Sequence, residues 1–580
     1  MREFPCVYII FDALDECSGR TELMDILKTM SAWQLENTHM LLTSRKERDI
    51  QSSLEIFIYE QSHICLQSER VDKDIQKYVQ QRLSNDKDFN RWEKDPTVRQ
   101  DIETTLVKGA QGMFRWAVCQ LDTLAKCRTR AALRRALVTL PPTLDKTYDR
   151  ILSAISEDDS RYAITILRWL TFAARPLSLG EVAEIVAINL DDEATFDRDE
   201  VLEDPLDVLN ICSSMVTIST EESETQGPAK QIVVLAHYSV KEYLISDRIQ
   251  KGSAAHYSMQ LAVCHDAIAR SCLGYLLQFQ GVKMLSHNNA KEFRLADYSA
   301  MFWIEHVRMT NEQTEWCSQE AIILLSEKSD VYVNWLRIHT PGMPWKGSNF
   351  QRSLQSMPLP FYYAGLLGLK RVVKLLLNAG ADVNAQGGLY GNALQAASVK
   401  GHEQIVKILL NAGADVNAQG GLYGNALQAA SVEGHEQIVK ILLNAGADVN
   451  AQGGLYSNAL YTASVEGHEQ ILLVSKIDNT QLQDPYNRTL LWWAAAGGQS
   501  HTTIVLVSQY HHDLQITDKF GRSPLWIATK KSHREVLEFL SEVLRLTSTF
   551  ITANIAQMEI GVFAKTVRKE VLIVRRRHIP

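Results

Sequence analysis

The sequence predicts a mostly α, multidomain chain: a partial α/β layer first, a helical middle, and a C-terminal solenoid of stacked helix pairs. Three observations predict it. Residues 391–423 and 424–456 are one 33-residue unit written twice, differing only at Lys400 against Glu433. A period of that length marks units that bury their apolar faces on one another. CVYIIF (6–11) is apolar without alternation, ends in acids, and is followed by a helical period and a second apolar run, THMLL (38–42). That is a strand–helix–strand pattern. Between these segments lie long helical periods punctuated by Pro141–Pro142.

A chain of 580 residues has room for roughly three to five domains. The 46% apolar and 22% charged fractions are those of ordinary globular protein, and the net charge of -8 argues against specific nucleic-acid binding. Nine cysteines without a CxxC pair fit a reduced, intracellular chain. The N-terminus has no secretory pattern, and no run approaches the ~18 apolar residues of a membrane helix. The expected location is the cytoplasm, with the nucleus left open, and no membrane partner.

Residues 1–70 come first. CVYIIF reads as a strand buried on both faces of a parallel sheet. Asp12, Asp15 and Glu16 follow at its C-terminal end, where α/β folds bind ligands. TELMDILKTMSAW (21–33) reads as an amphipathic helix, THMLLTSR (38–45) as a second buried strand, and SHICLQS (62–68) as a third. Strand–DALDE, helix, strand–TSR resembles the Walker B and sensor 1 pair of a NACHT-type (STAND) NTPase. The resemblance implies that Asp12 holds Mg²⁺ through water, that Asp15 and Glu16 are the catalytic acidic pair, and that Arg45 senses the γ-phosphate. ATP or GTP with Mg²⁺, and ADP at rest, would be the ligands. The motif GxxxxGK[ST] that cradles phosphate occurs nowhere in the chain. The expectation is a chain truncated before Walker B, or else a natural short form that has lost the ATPase core; either way the acids are expected to bind no cofactor and hydrolyse nothing in this chain. A longer form carrying the P-loop would make them live.

The middle is read as a helical subdomain (71–140), a winged-helix domain (141–250) and a helical linker region (251–355). GAQGMFRWAVCQLDTLAKC (109–127) reads as one helix with Phe114, Trp116, Val118 and Leu121 inward. Ser178 with Glu181 three residues on is a capping-box pattern. QIVVLAHYSVKEYLIS (231–246) reads as a strand running into a helix. TLPPTLDKTYDRIL, ILRWLTFAARPLSLGEV and LAHYSVKEYLIS resemble the winged-helix segment of fungal NACHT–ankyrin proteins and inositol-deacylase relatives. That resemblance makes His237 the contact to the ADP β-phosphate. Without a P-loop, the expectation is a histidine satisfied inside the winged-helix core. The cluster Arg128, Arg130, Arg134 and Arg135 reads as a solvated or intramolecular face rather than a DNA surface.

Residues 356–545 hold the repeats. NALQAASVKG is a short helix stopped by Gly401, and EQIVKILLNAG is a second helix with Ile405, Ile408 and Leu409 on one face, stopped by Gly413. ADVNAQGGLYG is a turn-rich finger. The unit resembles the ankyrin repeat, with NALQAA where that family usually has TPLHxA, and about five units are expected. His402, His435 and His468 recur every 33 residues. The spacing does not suit one zinc site, so each is expected to bond neighbouring backbone between repeats. The resemblance implies protein binding through the fingers: Gln386, Leu389 and Tyr390, then Gln419, Leu422 and Tyr423, then Gln452, Leu455 and Tyr456. The tyrosines read either as exposed hot spots or as packing between fingers. Residues 546–580 form a basic tail with a weak targeting signal at 575–577.

Three readings of function stand, one of them an ATP- or GTP-dependent switch in a longer form that carries the P-loop. Another is the partner-binding and hinge portion of a NACHT-type signalling switch of non-self recognition, whose full-length form oligomerises. The third is a stand-alone ankyrin scaffold with a vestigial NTPase remnant.

Overall fold

The computed structural model describes the chain apart from residues 1–5, 18, 34–36, 46, 59–61, 63–68, 94, 191–193, 222–229, 282–284, 311–314, 327–328, 344–346, 455–457, 475–481, 509–512 and 555–580. The expected third strand therefore falls almost wholly outside the described residues, as do Leu455, Tyr456 and the arginine run at 575–577. The chain divides into two compact units, Met1–Thr147 and Tyr148–Pro580.

The first unit opens with β1 (Val7–Phe11), α1 (Arg20–Ala32), β2 (Thr38–Leu42) and α2 (Arg48–Leu54). β1 and β2 pair in parallel, Val7 opposite Thr38 and Phe11 opposite Leu42. The expectation of burial on both faces is corrected. Among the described residues one face packs, with Phe11 and Leu42 against Leu14, Leu27 and Ile50. The other face leaves Tyr8 at 74%, Ile10 at 66% and Leu41 at 54% exposure. The crossover helix covers one side, and an apolar run without alternation does not say whether a second layer exists.

Next come α3 (Glu69–Asn85), α4 (Pro96–Ala110), α5 (Phe114–Ala125) and α6 (Arg130–Val138). Their core holds Ile75, Val79, Phe89, Ile102, Leu106, Trp116 and Leu121. The single helix expected over 109–127 is corrected to an end of α4 and a separate α5, because Gln111 and Gly112 both take positive φ. Phe114, read as inward, stands at 40% exposure. In the basic cluster Arg130 pairs with Asp95 at 2.7 Å.

α7 (Leu144–Ser153) and α8 (Glu157–Phe172) lead to β3 (Leu177–Ser178), α9 (Leu179–Ile185), β4 (Ile188–Asn189) and β5 (Thr195–Phe196). α10 (Asp207–Cys212), β6 (Val216–Glu221), β7 (Lys230–Leu235) and α11 (Tyr238–Ile245) follow. β3, β7 and β6 form an antiparallel sheet with β7 central, so three helices and a small sheet make a winged helix. The capping box forms: Ser178 Oγ accepts from Glu181 N–H, and Ser178 N–H donates to Glu181 Oε2 at 2.7 Å. Arg175 adds an ion pair to the buried Glu181 at 2.5 Å.

α12 (Leu261–Leu277), α13 (Ala296–Arg308), α14 (Glu315–Leu324) and α15 (Asp330–Ile338) pack directly onto it. Buried Glu184 of α9 accepts the Tyr275 hydroxyl of α12 at 2.5 Å and the backbone N–H groups of Arg294 and Leu295, at 3.1 and 2.9 Å. It thereby satisfies donors at the start of α13, where the helix dipole favours a carboxylate. Burial and Glu184 together push the Tyr275 hydroxyl pKa well up.

Six helix pairs follow, one more than the expected five: α16 (Pro360–Leu367) with α17 (Lys370–Asn378), α18 (Ala393–Val399) with α19 (Glu403–Asn411), and α20 (Ala426–Val432) with α21 (Glu436–Asn444). Then come α22 (Ala459–Glu466) with α23 (Glu469–Val474), α24 (Leu490–Gly497) with α25 (Ser500–Ser508), and α26 (Pro524–Lys531) with α27 (Arg534–Asn554). The first helix of each repeat after the opening one has the same N-cap position. Asn392, Asn425, Asn458, Thr489 and Ser523 each accept a backbone N–H from the first turn. NALQAA thus keeps the capping chemistry of TPLHxA with another side chain.

The histidines do what their period suggests. His402, His435 and His468 place Nε2 at 3.1, 3.2 and 3.0 Å from the carbonyls of Leu366, Val399 and Val432, in the last turn of the preceding repeat's first helix. His533 does the same to Ala496 at 3.2 Å. In the fifth repeat Gln499 replaces the histidine and donates Nε2–H to Val465 O at 3.1 Å. Replacing His435 by glutamine is therefore expected to be nearly neutral. Replacing it by alanine should cost about 1–3 kcal/mol, since the Val399 carbonyl loses its donor. Chemical denaturation of the two variants checks this.

Burial holds His402 down to about 4 and His306 down to about 3. Both folded values lie below the unfolded value near 6.5. The stability they carry is present above that value and is lost as pH falls toward 4, because the unfolded chain takes up protons first. Thermal midpoints measured from pH 7 to pH 4 should fall, and His402→Gln should flatten the slope.

Candidate functional site

Three places carry the predicted site residues: the sheet end in the first unit, and His237 and the fingers in the second. The first is the C-terminal end of the small parallel sheet. Asp12 is exposed at the end of β1, and its carboxylate accepts the Thr43 hydroxyl, which also receives Ala13 N–H at 2.8 Å. Thr43 was passed over in favour of its neighbours, yet it ties the two strand ends together. Asp15 is buried and is already paired: Oδ1 accepts Arg45 N–H at 2.9 Å and Oδ2 lies 3.2 Å from Arg45 Nε. The two residues that the resemblance assigns to separate tasks face each other. The side chain of Glu16 lies outside the described residues.

Among the described residues no three His, Cys, Asp or Glu side chains converge to hold a metal ion. The Asp12 carboxylate thus carries the Thr43 hydroxyl, and the Asp15 carboxylate is engaged by Arg45.

His237 is not in the winged-helix core. It is exposed and caps α11, its Nδ1 accepting Ser239 N–H at 3.1 Å. The Ser239 hydroxyl also meets Nδ1 at 2.7 Å and the Tyr148 hydroxyl at 2.8 Å. An Nδ1 that accepts leaves the proton of the neutral ring on Nε2. The reason is local: the residue before a helix needs an acceptor, and an imidazole can supply one.

The third place is the row of fingers. Gln386, Gln419 and Gln452 are exposed and brace their own fingers, each Nε2 donating to an asparagine carbonyl two residues back at 3.1–3.2 Å. Leu389 is half-buried and Leu422 is 42% exposed. The tyrosines pack between fingers rather than standing out: Tyr390 is 7% exposed and stacks on half-buried Tyr423 at 5.8 Å and 12°. Tyr390 as an exposed hot spot is corrected on that ground.

The exposed aromatic rings lie further along, at residues the sequence reading missed. Tyr486 is 50%, Phe520 66% and Trp526 40% exposed. The first two sit on fingers of a different build, DPYNR (484–488) and DKFGR (518–522). Asp484 Oδ1 accepts the N–H groups of Tyr486 and Arg488, and Oδ2 accepts Arg488 Nε at 2.6 Å. Asp518 repeats this with Phe520 and Arg522. The aspartate closes the turn, the arginine neutralises it, and the guanidinium lies over the ring at 4.9 Å in one finger and 4.6 Å in the other. Tyr486 and Phe520 stack at 6.4 Å. The signal that could have found them is this D-x-aromatic-x-R pattern, repeated at 34 residues like Thr489 and Ser523.

Three family models match the chain. "Ankyrin repeats (3 copies)" covers 361–453 and 460–543, "GPI inositol-deacylase, winged helix domain" covers 148–260, and "Nephrocystin 3, N-terminal" covers 1–45. The chain is 39% identical over 302 residues to the azaphilone pigments biosynthesis cluster protein L of Monascus ruber, covering 50% of this chain and 63% of that protein. It is 25% identical over 391 residues to the vegetative incompatibility protein HET-E-1 of Podospora anserina, covering 60% of this chain and 26% of that protein. The chain thus spans less than two thirds of either relative. Among solved structures, the human ASB11 ankyrin repeat domain aligns with 32% of this chain and 82% of its own length, at 24% identity and a TM-score of 0.29. Among the described residues no helix is long and apolar enough to cross a membrane.

Proposed function

From a chain with the architecture of fungal NACHT–winged-helix–ankyrin proteins, we propose a partner-binding and hinge function. The fingers capture a protein, and the winged helix with its packed helices carries that event onward. The setting is an incompatibility-like response, by analogy with the Podospora relative. One observation carries the binding role. The solenoid presents Tyr486, Phe520 and Trp526 in the open, the first two beneath arginines, and aromatic and arginine side chains are enriched at protein interfaces. This chain itself is proposed to hydrolyse no nucleotide and to need no cofactor, and its location is proposed to be the cytoplasm.

Capture from cell extract by the full chain tests it. A protein held by wild type and by Lys407→Ala is expected to be lost on combining Tyr486→Ala, Phe520→Ala and Trp526→Ala. Retention by that combined variant would defeat the reading.

A second reading is supported by the exposed positions of His237 and Asp12. In a longer form carrying a P-loop they would face ADP and Mg²⁺. Saturable ADP–Mg²⁺ binding to this chain, abolished by Asp12→Asn, would favour it over the first.

A further inference from the structure

Between Pro485 and His501, and again between Leu514 and His533, the sequence holds one acid, Asp518. These stretches carry the exposed rings and the first helices of the last two repeats, in a chain whose net charge is -8. The acids that close the two fingers do not reach the surface. The Asp484 and Asp518 side chains are fully buried and are cancelled by Arg488 and Arg522. What remains exposed in the two stretches is basic: Lys519, Lys530 and Lys531. Lys519 is tied beside Tyr486, its N–H donating to the Tyr486 carbonyl at 2.9 Å. Lys530 Nζ lies over the Trp526 ring at 5.2 Å. Asp513, just ahead of the second stretch, accepts Gln515 N–H at 2.8 Å, and on α27 Glu538 pairs with Arg534.

The two arginines are not spent equally. Arg522 turns both Nε and Nη2 to Asp518, at 2.7 and 2.6 Å. Arg488 donates to Asp484 through Nε alone, at 2.6 Å. Its guanidinium lies against the rings of Tyr486, Trp492 and Trp493, at 4.9, 5.1 and 4.2 Å, with 19% of the side chain exposed. A guanidinium held by a carboxylate on one edge and by rings on its faces is fixed in orientation before any ligand arrives. Its remaining N–H groups are a fork that suits a carboxylate, and little rotamer freedom is left to lose on binding.

We infer that the last two repeats recognise an acidic segment of a partner protein. An apolar side chain of that segment seats on Tyr486, Phe520 and Trp526. The Asp or Glu carboxylates beside it are taken by Arg488, Lys519 and Lys530. The rings supply most of the affinity, and the cations select for acid and against a basic segment. The inference rests on the partner-binding reading above and gives that surface its chemistry.

Fluorescence anisotropy of the full chain with three labelled peptides tests it. Each peptide has a central tryptophan–leucine pair, flanked on both sides by glutamates, by glutamines or by lysines. The glutamate peptide should bind saturably and at least ~10-fold more tightly than the glutamine peptide, and the lysine peptide should not bind. Lys519→Gln with Lys530→Gln, both at exposed positions, should weaken the glutamate peptide about 5-fold and leave the glutamine peptide unchanged. Arg488→Lys keeps a cation for Asp484 but loses the fork, and should weaken the glutamate peptide at least ~10-fold. Phe520→Ala with Trp526→Ala should abolish binding of both. Glutamate and glutamine peptides bound equally, and both lost on the ring substitutions, would overturn the acidic class and leave the ring reading standing. So would a wild-type chain that binds none of the peptides, or binds oligouridylate instead, while a captured protein is still lost from the ring variant. Glutamate-peptide binding that survives the ring substitutions would overturn both.

Discussion

Replacing Glu184 by alanine is expected to lower stability by about 3–5 kcal/mol, the range for removing one partner of a buried charged cluster. The carboxylate receives three donors from two other helical elements. Without it the Tyr275 hydroxyl and the Leu295 N–H are left buried and unpaired, and the Arg294 N–H loses its acceptor. The space offers no relief, because the interface is tight. A Cβ on Gly274 would meet the Ala194 backbone at 2.5 Å. Glu184→Gln keeps the volume but turns an N–H toward the donors, so it should recover only part of the loss. A denaturation midpoint within experimental error of wild type for Glu184→Ala would show that the winged helix and α12–α13 are not held this way.

Gly434→Ala is the second large effect, about 2–4 kcal/mol. Gly434 has φ of +75°, and an added Cβ would lie 2.6 Å from the His468 ring. Left-handed backbone alone costs an alanine about 1 kcal/mol or somewhat more. Displacing the ring would also break its bond to the Val432 carbonyl. Gly446 is the control: its φ is +89° with nothing within 4 Å, so Gly446→Ala should show the backbone cost only. The difference between the two midpoints measures the histidine contact. Equal losses would mean that the ring moves aside freely.

The repeats were the most legible part of the chain. Their signals are local or recur at a fixed period: an N-cap asparagine three residues before the N–H it accepts, a glycine at the helix end, a histidine one repeat from its carbonyl. The capping box at Ser178 and Glu181 was legible for the same reason. Glu184, three residues further on, was not. Its donors lie 91, 110 and 111 residues away, and no local pattern announces them. The tyrosine ladder failed differently. The period places Tyr390 and Tyr423 on one line but does not say whether the line faces solvent or the next finger, and 33-residue stacking brings the rings together. The strands of the first unit could be placed but not their covering, since burial depends on layers that an apolar run does not encode. His237 was singled out by the motif around it, while neither its exposure nor its capping bond to Ser239 N–H is encoded in that motif.

Partner recognition is proposed to rest on the exposed rings of the last two repeats, Tyr486 and Phe520 on their fingers and Trp526 on α26. Its most direct test is the affinity of the purified chain for a captured protein. Phe520→Ala with Trp526→Ala should weaken binding by at least ~30-fold, the roughly 2 kcal/mol of a hot spot, while Tyr390→Phe leaves it unchanged. Binding that survives the first pair of substitutions but is lost on altering Tyr390 would contradict the account.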